Sequence, residues 1–244
     1  MTEVHALIPA AGLSVRFGGT TLKQYAHVLG KPVMAHSMDV VLGHPLVASV
    51  TVVLASDDGI YDELLRPQYP QVRTVPGGDS RAKSVLNGLN FIRQAYPQSR
   101  WVLVHDAARP CLAADSLAEL LQKGLAFDQG AILAVPVSDT LKQQNEDGRI
   151  QQTVDRRGLW AAQTPQLFPI DELMMNLESA IKFGPLPTDE AEAMERSGCH
   201  PLLVPGLGSN IKITCPEDLL LAEFILSQKL KREEQARLDG GKRT

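Results

Sequence analysis

The residues best suited to chemistry follow the first apolar run of the chain. Val4–Ile8 leads into Pro9-Ala10-Ala11-Gly12, and two cations, Arg16 and Lys23, come after it. Small residues after a strand let the backbone approach a ligand closely, and free amide groups there suit phosphate oxygens. The two cations add positive charge where a triphosphate would lie. The pattern indicates a phosphate-binding loop, although it has neither the Gly-Lys-Ser/Thr of a P-loop nor the glycines of a dinucleotide fingerprint. Taken alone, such a pattern is more often a plain turn with solvated cations.

Two more loops carry small and polar residues of the same kind. Gly77-Gly78-Asp79-Ser80-Arg81 separates a predicted strand from a predicted helix, and Ser84 lies one turn into that helix. The paired glycines permit close approach to a ligand, while the loop's Asp or Ser could simply cap the helix. His105-Asp106-Ala107-Ala108-Arg109-Pro110 follows a buried-type strand, where the Asp106 carboxylate could bind a hydroxyl group or hydrated Mg²⁺. A lone Asp is more often a cap there, but the two alanines leave space beside it for a ligand.

Three further residues could bind an anion. Lys212 stands between apolar residues, where an inward cation needs a negative partner, although the exposed face of a strand explains it equally well. Thr140 and Arg156 lie at the two feet of a polar segment and could face one site together. No Ser-His-Asp arrangement or Cys/His metal cluster is evident in the sequence. Nucleotidyl transfer to a phosphate needs no general base, because the phosphate oxygen is already anionic; it needs alignment and cations such as Arg16, Lys23 and Mg²⁺.

Short apolar runs alternate with helix-length segments, and this alternation determines where the loops meet. The predicted strands are Val4–Ile8, Val47–Leu54, Val72–Val75, Trp101–Val104, Ala131–Val137, Leu202–Val204 and the extended piece Asn210–Ile213. The predicted helices are Val33–Leu42, Ser80–Ala95, Asp115–Phe127, Ile170–Lys182, Asp189–Arg196 and one that follows the capping box Thr214–Glu217. This order predicts an α/β fold with a doubly wound, mostly parallel sheet covered on both faces. Ligands bind beyond the carboxyl ends of such strands, so the three loops should converge.

The segment Ser138–Trp160 breaks the alternation. It is polar, and Asp147-Gly148 is a strong hairpin-turn signal between two extended flanks. A hairpin this polar has little to bury by itself, so we expect a protruding β-hairpin arm that packs against a second copy of the chain. A flexible surface excursion is the alternative. Residues 1–228 are expected to form a single domain that includes this arm at 138–160, and the charged tail, 229–244, is expected to fray.

Composition narrows the class of protein. The chain has 244 residues, of which 44% are hydrophobic, and a formal net charge of -4. This charge leaves no basic footprint for nucleic acid. The cysteines Cys111, Cys199 and Cys215 lack metal-ligand spacing and are typical of a reducing compartment. The N-terminus lacks a signal-peptide pattern, and no apolar run approaches the ~20 residues that span a bilayer. We therefore expect a cytoplasmic protein with no membrane or nucleic-acid partner.

Together, the motifs resemble those of the 2-C-methyl-D-erythritol 4-phosphate cytidylyltransferase family from Pro9 to about Leu226. In chain order, the matching pieces are Pro9–Gly12, Lys23–Tyr25, Gly77–Arg81 with Ser84-Val85, Val104–Pro110, Asp139-Thr140, Thr153–Arg156, Thr164–Gln166, Thr188–Ala191 and Asn210–Lys212. Each piece is weak alone, but their order and spacing are specific. The resemblance implies a nucleotidyltransferase-type Rossmann-like fold and a homodimer joined by the 138–160 arm. It also implies Mg²⁺-dependent transfer of CMP from CTP to methylerythritol phosphate with release of pyrophosphate. Mg²⁺ is expected mainly on the CTP phosphates and water, without a protein metal site.

The resemblance also implies roles for individual residues. Arg16 and Lys23 stabilise the transition state at the α-phosphate, and Arg156 and Lys212 complete the catalytic set. The residues implied to hold CTP are Pro9, Ala10, Ala11, Gly12, Gly78, Asp79, Arg81, Ser84, Asp106 and Ala107. Those implied to bind the polyol phosphate are Asp106, Arg109, Thr140, Arg156 and Lys212, with Thr140 and Arg156 supplied by the partner subunit. The chain departs from the family's commoner residues at Leu22, often Pro, and at Ser14-Val15, often Gly-Arg.

Three alternative functions stay open at this point. A ribitol 5-phosphate cytidylyltransferase shares the fold and the nucleotide half of the site. A sugar-1-phosphate nucleotidyltransferase would use another base. A catalytically silent nucleotide-binding protein would keep the cavity without the chemistry. The Arg16/Lys23 pair argues against the silent protein, because a binder has no need of two cations at the α-phosphate.

Overall fold

Apolar strands and amphipathic helices alternate along most of the chain. The structure is a computed structural model that describes residues 3–12, 17 and 22–240. In these residues the strands are β1 (Val4–Pro9), β2 (His27–Val28), β3 (Lys31–Pro32), β4 (Val47–Leu54), β5 (Arg73–Pro76), β6 (Trp101–Val104), β7 (Ala131–Pro136), β8 (Leu141–Gln144), β9 (Ile150–Val154), β10 (Trp160–Pro169) and β11 (Leu202–Pro205). The helices are α1 (Val33–Leu42), α2 (Ile60–Leu64), α3 (Arg81–Ala95), α4 (Ala114–Gly124), α5 (Ile170–Phe183), α6 (Glu190–Glu195) and α7 (Glu217–Gly240).

Seven of these strands form one central sheet in the order β11-β7-β10-β6-β1-β4-β5. β10 runs antiparallel to both of its neighbours, and the other neighbouring pairs are parallel. The predicted doubly wound, mostly parallel sheet is therefore confirmed. Its parallel strands end at the same edge, which is where the loops after β1, β5 and β6 emerge.

Both faces of the sheet are covered by helices, as the continuous apolar strands predict. Val4, Ala6 and Ile8 of β1 face a core shared with α1, α2 and α4, while Leu7 faces a second core shared with α3, α5 and α6. A third cluster packs α7 against Phe17, Val28 and Ala108. This last cluster brings the C-terminal helix beside the loop that follows β6.

Sequence prediction was wrong or incomplete for several elements. β10 was missed, because Pro165 and the polar residues around it do not resemble a central strand. The short elements α2, β2 and β3 were missed as well. The predicted strand at Asn210–Ile213 is irregular instead, and the amide of Ile213 donates to the carbonyl of Ala108 at 2.8 Å.

The C-terminal helix also differs from its prediction. Thr214 does belong to its cap, but Asp218, rather than the predicted Glu217, receives the hydroxyl and backbone amide of Thr214 at 2.8 and 2.7 Å. The helix continues to Gly240, through most of the tail expected to fray. No helix in the described part of the chain is long and apolar enough to cross a membrane.

The predicted hairpin arm is present as the antiparallel pair β8–β9. Its turn includes Gly148, whose φ of +77° favours glycine. The arm extends outward from the β7–β10 ladder, where Trp160 pairs with Pro136, and most of its residues are exposed. It therefore leaves the sheet at the carboxyl end of β7, on the same side as the loops after β1, β5 and β6.

Candidate active site

The three loops that the sequence predicts to converge do meet, around a cavity of about 690 Å³. Pro9–Gly12 forms one wall, Gly77–Arg81 with Ser84 forms the second, and Asp106–Ala108 forms the third. Lys23 and Lys212 also line the cavity. The predicted convergence of the three loops is therefore confirmed, and residues from three distant parts of the sequence line one space.

The first two walls touch each other through residues with almost no side chain. The amide of Gly77 donates to the carbonyl of Leu54 at 2.7 Å. A Cβ atom on Gly77 would lie 2.6 Å from the Cβ of Ala11 and 2.9 Å from the hydroxyl of Ser84. Glycine is required here by close approach rather than by backbone conformation. The contact sets the width of the cavity between the loops.

Hydrogen bonds within the second wall fix its shape. The Ser80 hydroxyl accepts from the amide of Lys83 at 3.2 Å, so Ser80, and not Asp79, caps α3. The buried Ser84 hydroxyl accepts from the amide of Gly78 at 3.0 Å and donates to the carbonyl of Ser80 at 2.8 Å. The Asp79 carboxylate is exposed and pairs with Lys83. Ser84 therefore holds the turn, while the backbone of Gly78 and Asp79 borders the cavity.

Lys23 lies in a short turn beside the Pro9–Gly12 loop. The amide of Tyr25 donates to the carbonyl of Leu22 at 2.9 Å. The neighbouring Gln24 is buried, and its side-chain amide donates to the carbonyl of Ala10 at 2.9 Å. This bond ties the Lys23 turn to the Pro9–Gly12 loop. Arg16, the other predicted catalytic cation, lies outside the described residues.

Asp106 is the electrostatic centre of the site. Its carboxylate is 9% exposed and lies 3.1 Å from a guanidinium nitrogen of Arg81 and 2.8 Å from the ammonium of Lys212. Burial raises the pKa of Asp106, but the positive charges of Arg81 and Lys212 outweigh it, and the net pKa lies well below the ordinary value. Asp106 is therefore an ionised carboxylate at neutral pH.

A second, smaller cavity of about 250 Å³ lies beside the ion cluster that Asp106 forms with Arg81 and Lys212. It shares Arg81, Asp106 and Lys212 with the larger cavity and is also lined by Arg109 and Thr188. The two spaces therefore meet at the predicted polyol residues Asp106 and Lys212. In the described part of the chain, Arg109 Nε is buried without a hydrogen-bond acceptor, since Asp106 Oδ2 lies 3.6 Å away.

A one-way chain of hydrogen bonds supports the third wall. The amide of Asp106 donates to the Thr164 hydroxyl at 3.0 Å, and this hydroxyl lies 3.1 Å from Nδ1 of His105. The carbonyl of Arg109, 3.2 Å from His105 Nε2, can only accept, so Nε2 donates to it, and Nδ1 of the neutral ring accepts from the Thr164 hydroxyl. Burial lowers the pKa of His105 to about 4, which keeps the ring neutral in this arrangement. The chain fixes the loop that carries Asp106 and Arg109.

Several supporting residues had no role assigned from the sequence. Thr164 belongs to the missed strand β10, and Glu190 is a buried carboxylate that pairs with Arg81. The side-chain amide of Asn210 donates to the backbone carbonyl of Thr164 at 2.9 Å. The backbone carbonyl of Asn210 accepts from the guanidinium of Arg109 at 2.7 Å. Their neighbours in the sequence are mostly polar residues, proline or glycine, so no local pattern in the sequence indicated these roles.

Of the predicted site residues that the structure describes, Thr140 and Arg156 do not line either cavity. Both lie at the base of the arm and are exposed. Their predicted role depends on a second subunit. Among the described residues, no group of three His, Cys, Asp or Glu side chains could hold a metal ion.

Comparison with known proteins identifies the family of the chain. Residues 4–228 match the sequence model of the 2-C-methyl-D-erythritol 4-phosphate cytidylyltransferase family. Proteins of that name from Shewanella oneidensis and Acidithiobacillus ferrooxidans are each 47% identical to the chain, over 92% and 94% of its length and 89% and 98% of their own.

Solved structures agree as well. A crystal structure of 4-diphosphocytidyl-2C-methyl-D-erythritol synthase superposes with a TM-score of 0.81 at 38% identity, covering 93% of this chain and 99% of the other. A 2-C-methyl-D-erythritol 4-phosphate cytidylyltransferase from Thermus thermophilus superposes with a TM-score of 0.76 at 28% identity, covering 93% and 100%. The chain belongs to the 2-C-methyl-D-erythritol 4-phosphate cytidylyltransferase family.

Proposed function

We propose that the protein transfers CMP from CTP to 2-C-methyl-D-erythritol 4-phosphate in the cavity at the carboxyl edge of its sheet. The observation that carries this proposal is the meeting of the nucleotide-side loops, Pro9–Gly12 and Gly77–Arg81, with the Asp106–Lys212 pair in one space. Family membership supplies the reaction, and the cavity supplies a place for both substrates. The products are 4-diphosphocytidyl-2-C-methyl-D-erythritol and pyrophosphate.

The reaction is a displacement at the α-phosphorus of CTP. An oxygen of the acceptor phosphate forms a bond to that phosphorus, and the bond from the phosphorus to the oxygen bridging the β-phosphate breaks. Pyrophosphate leaves with the bonding electrons. The attacking oxygen is already anionic, so the protein has to align the groups and neutralise charge.

The first two walls suit the nucleotide. The amide of Ala10 already donates to the carbonyl of Val53 at 2.8 Å, so the small residues Ala11 and Gly12 are the ones whose backbone amides are assigned to phosphate oxygens; Lys23 borders the same space. Lys23, which lies in the described part of the chain, is assigned to neutralise the negative charge that develops at the α-phosphate. Arg16 has the same assignment from the sequence alone. Backbone groups of Gly78 and Asp79 are assigned to the cytosine edge.

The ion cluster suits the polyol phosphate. The Asp106 carboxylate can accept hydrogen bonds from hydroxyl groups, and Lys212 and Arg109 supply positive charge beside it. Asp106 lines both cavities, so it is assigned to the junction of the two substrates.

Mg²⁺ fits this site as a companion of the triphosphate. The Asp106 carboxylate is already paired with Arg81 and Lys212, and the described residues offer no other metal-binding cluster. Phosphate oxygens and water are the ligands Mg²⁺ commonly keeps in such sites. The ion would neutralise charge on the triphosphate and improve pyrophosphate as a leaving group.

The arm is assigned to a homodimer in which Thr140 and Arg156 serve the partner's site. These residues are exposed at the foot of a polar hairpin, and an arginine can grip a phosphate through two hydrogen bonds. A dimer of one Arg156→Ala and one Lys23→Ala subunit tests the assignment. If Arg156 acts on the partner, both lesions fall in one site and roughly half the activity survives, given independent sites. A nearly inactive mixed dimer would contradict sharing.

Pyrophosphate release from CTP, measured with a set of acceptors, tests the function itself. We expect rapid release with methylerythritol phosphate and little with ribitol 5-phosphate or simple sugar 1-phosphates. Equal or faster release with ribitol 5-phosphate would favour the alternative cytidylyltransferase. No release with any acceptor, despite CTP binding, would favour a silent nucleotide-binding protein.

A further inference from the structure

Glu190 is a buried carboxylate for which the proposed reaction has no direct use. It is the first residue of α6, and its side chain is 1% exposed. Its two oxygens accept from the two terminal nitrogens of Arg81, at 2.5 and 3.0 Å. A buried charge is costly unless it is paired in this way, and the bidentate geometry is the strongest form of the pair.

Arg81 occupies an electrostatically unfavourable position without this partner. It is the first residue of α3, whose first turn has no acidic residue, and the positive end of a helix disfavours a cation. The compensating charges come from outside α3, from Glu190 and Asp106. Burial lowers the pKa of Arg81, but these two carboxylates outweigh it and the net pKa is raised. The guanidinium therefore stays charged and shared between two anions.

Glu190 is held in place from a different part of the fold. The side-chain amide of Gln166 on β10 donates to Asp189 at 2.9 Å, and its carbonyl accepts from the amide of Ala191 at 2.9 Å. Asp189 also accepts from the amide of Glu192 at 2.9 Å and caps α6. The start of α6 is thus fixed to the sheet, which anchors the backbone of Glu190 independently of Arg81.

This arrangement determines how many of the carboxylate oxygens of Asp106 are bound by Arg81. Arg81 donates to Asp106 Oδ1 with one nitrogen, which leaves Oδ2 to Lys212 at 2.8 Å. An arginine released from Glu190 would be able to grip both oxygens of Asp106. It would then displace Lys212 and cover the oxygens that face the cavity.

We propose that Glu190 is a positioning residue for the acceptor substrate, acting through Arg81 to keep Asp106 and Lys212 correctly placed. The proposal rests on the proposed function, because it assigns Asp106 and Lys212 to that substrate. Glu190 itself contacts no reacting group.

Glu190→Gln tests the proposal, because the amide has the shape of the carboxylate but no charge. We expect kcat/KM for methylerythritol phosphate to fall about 10- to 100-fold, the range for losing a hydrogen bond to a charged group. CTP affinity, measured by equilibrium binding without acceptor, should change much less. Glu190→Asp, which keeps the charge, should recover part of the loss. Glu195→Gln is the matched control: it removes the same charge from the exposed end of α6 and should behave like the wild type.

The double variant Arg81→Gln/Glu190→Gln separates positioning from a general structural role. If Glu190 acts through Arg81, the double variant and Arg81→Gln alone should have the same kcat/KM for the acceptor. Removing one partner of a buried pair is poorly tolerated, so if Glu190→Gln or Arg81→Gln alone fails to fold, Glu190→Asp, which keeps a charge opposite Arg81, decides the matter. It should lower kcat/KM for the acceptor more than it lowers CTP affinity, and an equal loss of both would overturn the proposal.

The proposal is wrong if the two losses multiply, or if Glu190→Gln matches Glu195→Gln in kcat/KM. Failure of the proposed function is a distinct outcome, in which the wild-type protein itself transfers no CMP to methylerythritol phosphate.

Discussion

Replacing Gly77 by alanine tests whether the contact between the first two walls builds the nucleotide site. The new Cβ would lie 2.6 Å from the Cβ of Ala11 and 3.2 Å from the carbonyl oxygen of Leu54. Ordinary contact begins at 3.4 Å, so the two Cβ atoms must separate by about 0.8 Å. Neither neighbour can yield by rotation, because one is a methyl group on the backbone and the other is backbone itself. The two loops therefore have to move apart.

The size of the effect follows from overpacking. Inserting a methyl group into a closely packed place costs about 1–3 kcal/mol, and CTP binding must then restore the displaced loops. We expect KM for CTP in the pyrophosphate-release assay to rise about 5- to 100-fold. The unfolding temperature should fall by about 2–4 °C for each kcal/mol of unfolding free energy that is lost.

The control is Gly59→Ala, since no atom lies within 4 Å of a Cβ there and Gly59 has a φ of -90°. It should leave both KM and thermal stability near their wild-type values. A Gly77→Ala protein with lowered stability but unchanged KM for CTP would refute the reasoning, because the loops would then have moved without disturbing the nucleotide.

Three other predictions concern the same site. Lys23→Ala should lower kcat about 100- to 1000-fold while changing CTP affinity little, as expected for a cation that acts in the transition state; a normal kcat with only a raised KM would contradict that role. CTP should be preferred to UTP, ATP and GTP, because buried polar groups that match one base edge go unpaired with another; similar kcat/KM values for CTP and UTP would refute this. The pKa of His105 is lowered from 6.5 to about 4, so the unfolded chain binds a proton between these pH values that the folded protein does not. Stability should therefore fall as the pH drops from 6.5 to 4, by about 3 kcal/mol from this group. In His105→Gln, the unfolding free energy measured with urea should no longer show this part of its dependence on pH. Parallel curves of unfolding free energy against pH for the variant and the wild type would contradict the prediction.

The sequence was sufficient to predict the parallel strands of the sheet, because continuous apolar runs are local features. Val33–Leu42 and Val47–Leu54 have the predicted bounds. β10 was missed because its proline and buried polar residues are explained only by tertiary partners: Thr164 by His105 and Asp106, and Gln166 by the start of α6.

The same limit applies to the site. Loops at the ends of parallel strands must converge, so the cavity was predictable from the order of elements. Which charges pair inside it was not predictable. Lys212 was expected either to need an anion or to lie on an exposed strand face, and the structure pairs it with Asp106, 106 residues earlier in the chain. Glu190 sits in a short helix whose sequence offers no sign that its carboxylate is buried against Arg81.

In the proposed reaction, the phosphate of methylerythritol phosphate forms a bond to the α-phosphorus of CTP within the cavity. Phosphorus-31 NMR of the reaction mixture tests it directly, because that bond creates a diphosphate. We predict two mutually coupled doublets from the product, appearing together with pyrophosphate at equal rates and lost in Lys23→Ala. Release of pyrophosphate with CMP instead, or a product whose α-phosphorus gives an uncoupled singlet, would contradict the claim, because CMP would then have passed to water or to a hydroxyl group.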